Sequence, residues 1–376
     1  MKQKIARLIL EDGSEFTGWS FGKARSQAGE VVFGTAMTGF PQTLTDPAYR
    51  GQILTAAYPL VANFGIPVSP KTGETLYDRQ GIPLELESSA VQVSGFAVSE
   101  LCDEPKGSGS ASAGSALSVW LEKNNVPGIY GIDTRALVKR LRENGVMRGK
   151  ILVEGTRDVT MDSGFNVNPV EEVSCTESCT YLPESGGKGE SSRIVLIDCG
   201  AKANIIRCLL ARNAEVLRLP WNHDLKNIEY DGLVLAGGPG DPRACGRTIA
   251  MIRRAFDVKK PILGIGLGCS IMALAAGADS YKLPYGHRGT NQPCLQANTS
   301  RCYITAQNHG YAIRGESLPK GWESWFINGN DNSIEGIKST RYPFQAVQFQ
   351  PEGCPGSRDT EFIFDMFLDQ IKEMKK

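Results

Sequence analysis

From Arg193 onward, short apolar runs alternate with stretches of helical period, and no other feature narrows the possible folds as much. Ile194-Val195-Leu196-Ile197 and Leu233-Val234-Leu235 are apolar at every position, as expected for strands buried on both faces. Between them, Asn204 to Asn213 sets Ile205, Leu209 and Leu210 on one helical face. A later stretch does the same with Ile249, Ile252 and Phe256. ILGIGLG with its following helix, CYITAQ, AVQFQ and an amphipathic helix through Phe362, Phe364, Met366, Phe367 and Ile371 complete the series. Repeated βα units predict an α/β domain over residues 193–376, a doubly wound, largely parallel sheet. Ligands bind such sheets beyond the C-terminal strand ends, where three loops fall: GGPGDP, GIGLGCS and QFQPEG.

The preceding chain has another rhythm. Ile5 to Leu10 and Glu15 to Trp19 flank Asp12-Gly13 as a hairpin, and β-prone runs follow at Glu30 to Thr35 and Gln52 to Tyr58. GSGSASAGS (Gly107 to Ser115) reads as a surface loop or helix lead-in, before a helix with Leu117, Trp120 and Leu121 on one face. In IDTRALVKRLRENG, Asp133 can cap a helix whose buried stripe is Leu137, Val138 and Leu141, and Gly145 can end it. Met147 to Glu154 return as a strand. These elements predict an N-terminal domain over 1–155, mostly β with helices on one side. Over 156–192 the pattern dissolves into an expected linker, clearest at ESGGKGESS (Glu184 to Ser192).

Composition removes several function classes. A chain of 376 residues exceeds one ordinary core and fits two domains. With 41 basic and 41 acidic residues the net charge is zero, which argues against nucleic acid or an anionic membrane surface as partner. No apolar run approaches the roughly 18 residues that span a bilayer. The start, MKQKIARLILEDG, runs into an alternating strand rather than a signal peptide, so a cytoplasmic location with reduced thiols is expected. Ten cysteines without a CxxC pair, and only three histidines, give no reason to expect a metal site.

GIGLGCS (Gly264 to Ser270) lies between an apolar strand and a helical pattern. Strand, tight glycine turn and helix make a nucleophile elbow, which holds one side chain proud of the sheet. The residue at the apex is Gly266, which has none. An elbow apex costs a residue with a Cβ about 1–3 kcal/mol of backbone strain, whereas glycine enters that region freely. The turn is therefore expected to persist without its nucleophile.

DCGAKANIIRCLL, GGPGDP, YGHRGTNQP and AQNHGYAI in the second half resemble loops of a class I glutamine amidotransferase domain. With GEVVFGTAMTGF, TLTDPAYRGQILTAAYP and GIDTRALVKRLRENG in the first half, the whole chain resembles the small subunit of carbamoyl-phosphate synthase. In that family the elbow reads G-I-C-L-G-H-Q and the last strand H-P-E. The cysteine attacks the carboxamide of glutamine, the histidine moves the protons and the glutamate orients the histidine. The resemblance implies no cofactor in this chain. It also implies a docking role for the N-terminal domain on a large ATP-grasp subunit, which would use ATP and Mg.

Carried over residue by residue, the cysteine position is Gly266, the histidine position Gln350, and only the glutamate, Glu352, remains. Cys269 and Ser270 replace the His-Gln that follows the elbow, and Ala48 replaces a substrate-touching serine. Gly238, Gly240, Leu267, Asn308 and Gly310 match pocket positions, and Tyr311 supplies an expected aromatic. The resemblance thus implies a silent glutaminase subunit, fed with external ammonia, in arginine or pyrimidine synthesis. Two other readings stand beside it: a remodelled pocket that binds another small metabolite, or glutamine hydrolysis through non-standard residues. For the last, Cys269 lies three residues past the apex, roughly 4.5–5 Å along the helix at ~1.5 Å per residue, beyond the ~3–3.5 Å that attack requires. Cys354 is a weaker candidate. His287 and His309 are expected in loops, His223 after an early strand, and Glu352 as a local acceptor fixing its own loop.

Overall fold

The computed structural model describes residues 4–69, 72–102, 116–163, 168–184 and 191–375. GSGSASAGS and most of ESGGKGESS lie outside them. The chain divides into two compact units, Met1–Asn166 and Val167–Lys376.

In the first unit the strands are β1 (Ile5–Leu10), β2 (Glu15–Gly22), β3 (Gln27–Gly34), β4 (Gln52–Ala56), β5 (Leu60–Val61), β6 (Gly95–Ala97), β7 (Glu100–Leu101), β8 (Pro127–Tyr130) and β9 (Met147–Val153). The helices are α1 (Phe40–Leu44), α2 (Leu117–Lys123) and α3 (Thr134–Asn144). Asp12-Gly13 turns β1 into β2 as expected, with Ile9 opposite Glu15. Seven strands then close into a barrel in the order β1-β2-β8-β6-β4-β3-β9, with β9 pairing back onto β1. Inward residues alternate along β1 as Ala6, Leu8 and Leu10, all buried. Asp133 caps α3, its Oδ1 accepting from Ala136 N at 2.9 Å. Leu137 and Leu141 face the core, while Val138 is half-buried. Closure was not legible in the sequence because it depends on pairings between distant segments, such as β6 with β8.

The second unit holds β10 (Cys179–Tyr181), β11 (Ser192–Asp198), β12 (Ala214–Pro220), β13 (Gly232–Leu235), β14 (Ile262–Ile265), β15 (Ser280–Gln296), β16 (Cys302–Ile313), β17 (Trp322–Asn328), β18 (Ile334–Ser339) and β19 (Phe344–Val347). Its helices are α4 (Val170–Val173), α5 (Ala203–Leu210), α6 (Gly246–Val258), α7 (Leu267–Ala276) and α8 (Phe362–Lys375). The sheet runs β10-β12-β11-β13-β14-β19-β18-β16-β15-β17. The block β12-β11-β13-β14-β19 is parallel, and Ile194 to Ile197 are fully buried within it. Helices cover both faces. On β13, Gly232 lies against Phe367 and Ile371 of α8, while Leu235, three residues on and so on the opposite face, lies against Gly268 of α7.

Two features depart from the sequence reading. The expected linker 156–192 contains α4, whose Val170 is fully buried, and β10, which pairs antiparallel with β12. Asp198 Oδ2 accepts from Cys175 N (2.7 Å) and from Arg218 Nη2 (2.6 Å), binding that segment to β11 and β12. The segment is short and mostly polar, so no period revealed it. Beyond β19 the parallel block also carries an antiparallel arm, β18-β16-β15-β17.

Candidate active site

Three adjacent parallel strands, β13, β14 and β19, end side by side and release GGPGDP, GIGLGCS and QFQPEG from those ends. At the apex of the middle loop, Gly266 has φ 57° and ψ −117° and opens α7. Its N–H donates to Val347 O at 2.8 Å, which ties the turn to β19. The elbow conformation is therefore present. A Cβ on Gly266 would stand 3.4 Å from Gly237 Cα and 3.9 Å from Gln348 O, ordinary contact distances. Crowding does not exclude a side chain here. At Gly238 it does, because a Cβ would lie 2.0 Å from Cys199 O.

Gln350 bridges β16, its N–H donating to Ala306 O at 2.8 Å. Its Oε1 accepts from Lys202 Nζ at 3.2 Å, and a carboxamide offers no nitrogen lone pair basic near neutral pH. Lys202 is 3% exposed and lies 3.2 Å from the carboxylate of Glu352, itself 1% exposed. Lys202 Nζ also donates to Gly353 O, and Asn204 Nδ2 donates to Glu352 O at 2.5 Å. Glu352 thus does more than fix its own loop: it joins that loop to the start of α5 through a buried ion pair. Within DCGAKANIIRCLL nothing distinguishes Lys202 from a surface cation; only its tertiary burial does.

Ser270 Oγ donates to Gln348 Oε1 at 3.2 Å, with both residues buried. Leu267 opens α7 against Gly238, and Gly240 is exposed. Asn308, opposite Arg288, is followed on β16 by Gly310 and Tyr311, two to five residues beyond the Ala306 that bridges Gln350. Ala48 belongs to the first unit, in the turn Pro47–Tyr49, where its N–H donates to Asp46 Oδ1 at 2.9 Å.

Cys269 differs from an activated thiol. Cys269 is fully buried; burial first, and then the charge of Glu335, push its thiol well above the ordinary range, against a smaller pull from the Ile337 N–H. The nucleophilic form is the thiolate, so Cys269 is a protonated core thiol. Cys354 Sγ sits 3.9 Å from Arg207 Nη2. His223 is exposed, its Nδ1 donating to Asp224 O at 2.7 Å.

His287 and His309 correct the sequence reading. Both lie in strands rather than loops, directly opposite each other on β15 and β16, because the antiparallel pairing resumes past a register shift between Lys282 and His287. Both flank Glu335 of β18. Burial would lower His287, but the hydrogen bond and charge of Glu335, then those of Asp331, raise it above its ordinary value. Burial would raise Glu335, but the charge of His309 and the hydrogen bond of His287 hold it at about 2.

Residues 195–370 match the glutamine amidotransferase class-I family model, and residues 8–151 match the CPSase domain of the carbamoyl-phosphate synthase small chain. The elbow and flanking strand ends described above thus sit in a class I glutamine amidotransferase domain. Taken over both units, the chain belongs to the carbamoyl-phosphate synthase small-chain family. It is 44% identical over 377 residues to human "Carbamoyl-phosphate synthase [ammonia], mitochondrial", covering 100% of this chain and 24% of that protein. The bullfrog (Aquarana catesbeiana) protein of the same name is 43% identical over 378 residues, again with 100% of this chain and 24% of that protein. Yeast (Saccharomyces cerevisiae) "Multifunctional protein URA2" is 40% identical over 398 residues, covering 99% of this chain and 18% of that protein. The chain therefore spans a quarter or less of the length of these relatives.

Proposed function

We propose that this chain serves a carbamoyl-phosphate synthase as its small-chain part without hydrolysing glutamine itself, the synthase drawing ammonia from solution. The observation that carries this reading is the set of groups around the elbow. The apex presents hydrogen, the base position presents a carboxamide, and the orienting carboxylate is engaged by Lys202. Losing one member of a nucleophile–base unit removes most turnover, and the remaining members do not compensate. Cys269, the alternative nucleophile, is buried and protonated.

The partner in this reading is the large ATP-grasp part of the synthase, where ATP and Mg act, whether on a separate chain or joined to this one. The printed names of the human and bullfrog relatives specify ammonia, and those relatives are much longer than this chain. Among the described residues no helix is long and apolar enough to cross a membrane. All ten cysteines are free thiols, compatible with the reducing compartment we propose, the cytoplasm.

The test is a pair of assays on the chain with its large partner. Carbamoyl phosphate should form from ammonium salts, and glutamine should give neither ammonia nor product. Glutamine-dependent ammonia release that Cys269→Ser abolishes would overturn the proposal. A small metabolite other than glutamine that raises Tm would instead favour the remodelled-pocket reading.

A further inference from the structure

We propose that His287, His309 and Glu335 form a binding site for a divalent transition-metal ion of the zinc type within the antiparallel arm. The three residues come from β15, β16 and β18, all are buried, and one donor atom of each lies within 4.8 Å of the others. Donors around tetrahedral zinc, at ~2.0–2.1 Å from the ion, stand roughly 3.4 Å apart. A closure of up to about 1.4 Å brings the set to size.

The outer nitrogen of each ring already has its acceptor. His287 Nε2 lies 2.9 Å from Asp331 Oδ2, and His309 Nδ1 donates to Tyr311 O at 2.9 Å. A carboxylate or carbonyl behind an imidazole is the arrangement that fixes the tautomer and orientation of metal-ligating histidines. The inner nitrogens, Nδ1 of His287 and Nε2 of His309, face the carboxylate of Glu335 at 2.9 and 3.4 Å. Glu335 Oε1 accepts from Asn328 Nδ2 at 3.0 Å, while Oε2 takes no hydrogen bond among the described residues. Asn328 Nδ2 also reaches His287 Nδ1 at 3.3 Å, a contact that metal binding displaces. Gln307 Oε1 lies 3.3 Å from His309 Nε2, an oxygen beside the same set.

A wholly buried carboxylate requires a cation beside it. One proton on the ring pair leaves one inner lone pair beside a carboxylate oxygen, met on His287 by Asn328 Nδ2 at 3.3 Å. Two protons set like charges on rings whose centroids are 4.9 Å apart. A divalent ion satisfies both lone pairs and Glu335 at once, and with Asp331 and Glu335 ionised and both rings neutral the local charge sums to zero. Two imidazoles favour zinc-like ions over magnesium or calcium. The backbone carbonyl of Glu335 accepts from Gln348 N at 2.8 Å, so the ion would brace the strand that leads into QFQPEG.

The experiment uses the full chain, stripped with a chelator and titrated with Zn²⁺ against a competing chelator, then with Co²⁺. One equivalent should bind, and Co²⁺ should give visible d–d absorption without the thiolate charge-transfer band that cysteine ligation produces. Asp331 is half-exposed at its side chain, so Asp331→Asn should fold as the wild type by circular dichroism yet lose about 10–100-fold in affinity. Glu335→Gln should abolish stoichiometric uptake; if it unfolds, Asp331→Asn decides. Folded wild-type protein that takes up no equivalent overturns the site and leaves a protonated imidazole–carboxylate network. Uptake unchanged in Asp331→Asn, or lost in the exposed-site variant His223→Ala, overturns it as well.

Discussion

At the scale of single residues, Gly266 and Lys202 explain most of what the elbow can do. The apex keeps a conformation that disfavours a Cβ, yet the space before it is open. Gly266→Ala should fold with a loss of about 1–3 kcal/mol, measured by denaturant unfolding. Gly266→Cys should carry a thiol but release no ammonia from glutamine, because Gln350 cannot take its proton. Lys202 is subject to a different force. Removing one member of a buried ion pair strands the other charge, so Lys202→Met should cost about 3–5 kcal/mol. Adding Glu352→Gln should recover part of that loss, and full additivity of the two changes would refute the coupling. The empty apex and the amide at Gln350 were legible in sequence, because each occupies a fixed place in a motif. Lys202 was not, since its burial depends on α5 and QFQPEG meeting across the fold.

Among elements, α5 and α8 show how a surface latch sets acid sensitivity. Arg212, just past α5, donates from Nε to Asp365 Oδ1 (2.7 Å) and from Nη1 to Glu361 Oε1 (3.1 Å). Asp365 is held below its ordinary 3.8 chiefly by the Arg212 hydrogen bond; Glu361 is held below its ordinary 4.5 by the Arg358 hydrogen bond first and by Arg212 after burial is counted. A depressed carboxylate contributes stability that is present above its unfolded value and lost as pH falls through the folded one. Urea unfolding of Arg212→Ala should therefore show a shallower loss of stability below about pH 5 than the wild type. The remaining slope should stay, because Arg358 still acts on Glu361. The βα strands were readable from their unbroken apolar runs. Of the arm from Ser280 to Ser339 only CYITAQ was readable as a strand, and its antiparallel pairing was not, because β15 mixes charged, glycine and proline residues over its 17 residues and shifts register twice. The same obscurity covered the meeting of His287, His309 and Glu335, which no sequence spacing expresses.

For the whole molecule, each unit has its own buried cluster. One is built on Val32, Leu54, Phe96 and Trp120, the other on Val195, Leu235, Ile262 and Ala346. Val170 belongs to the second cluster. A fragment of residues 167–376 should fold alone, with a cooperative transition. One starting at residue 193, the boundary expected from sequence, should be less stable because it lacks Val170 and β10. Thiol labelling of the native chain should reach exposed Cys179 and Cys302 first and spare Cys199, Cys269 and Cys294 until unfolding. The barrel of the first unit carries one more implication. A cylinder whose last stave bonds to its first has no edge strand among the described residues. Any protein that settles on that wall must recognise side chains, because it cannot lengthen the ladder with a strand of its own.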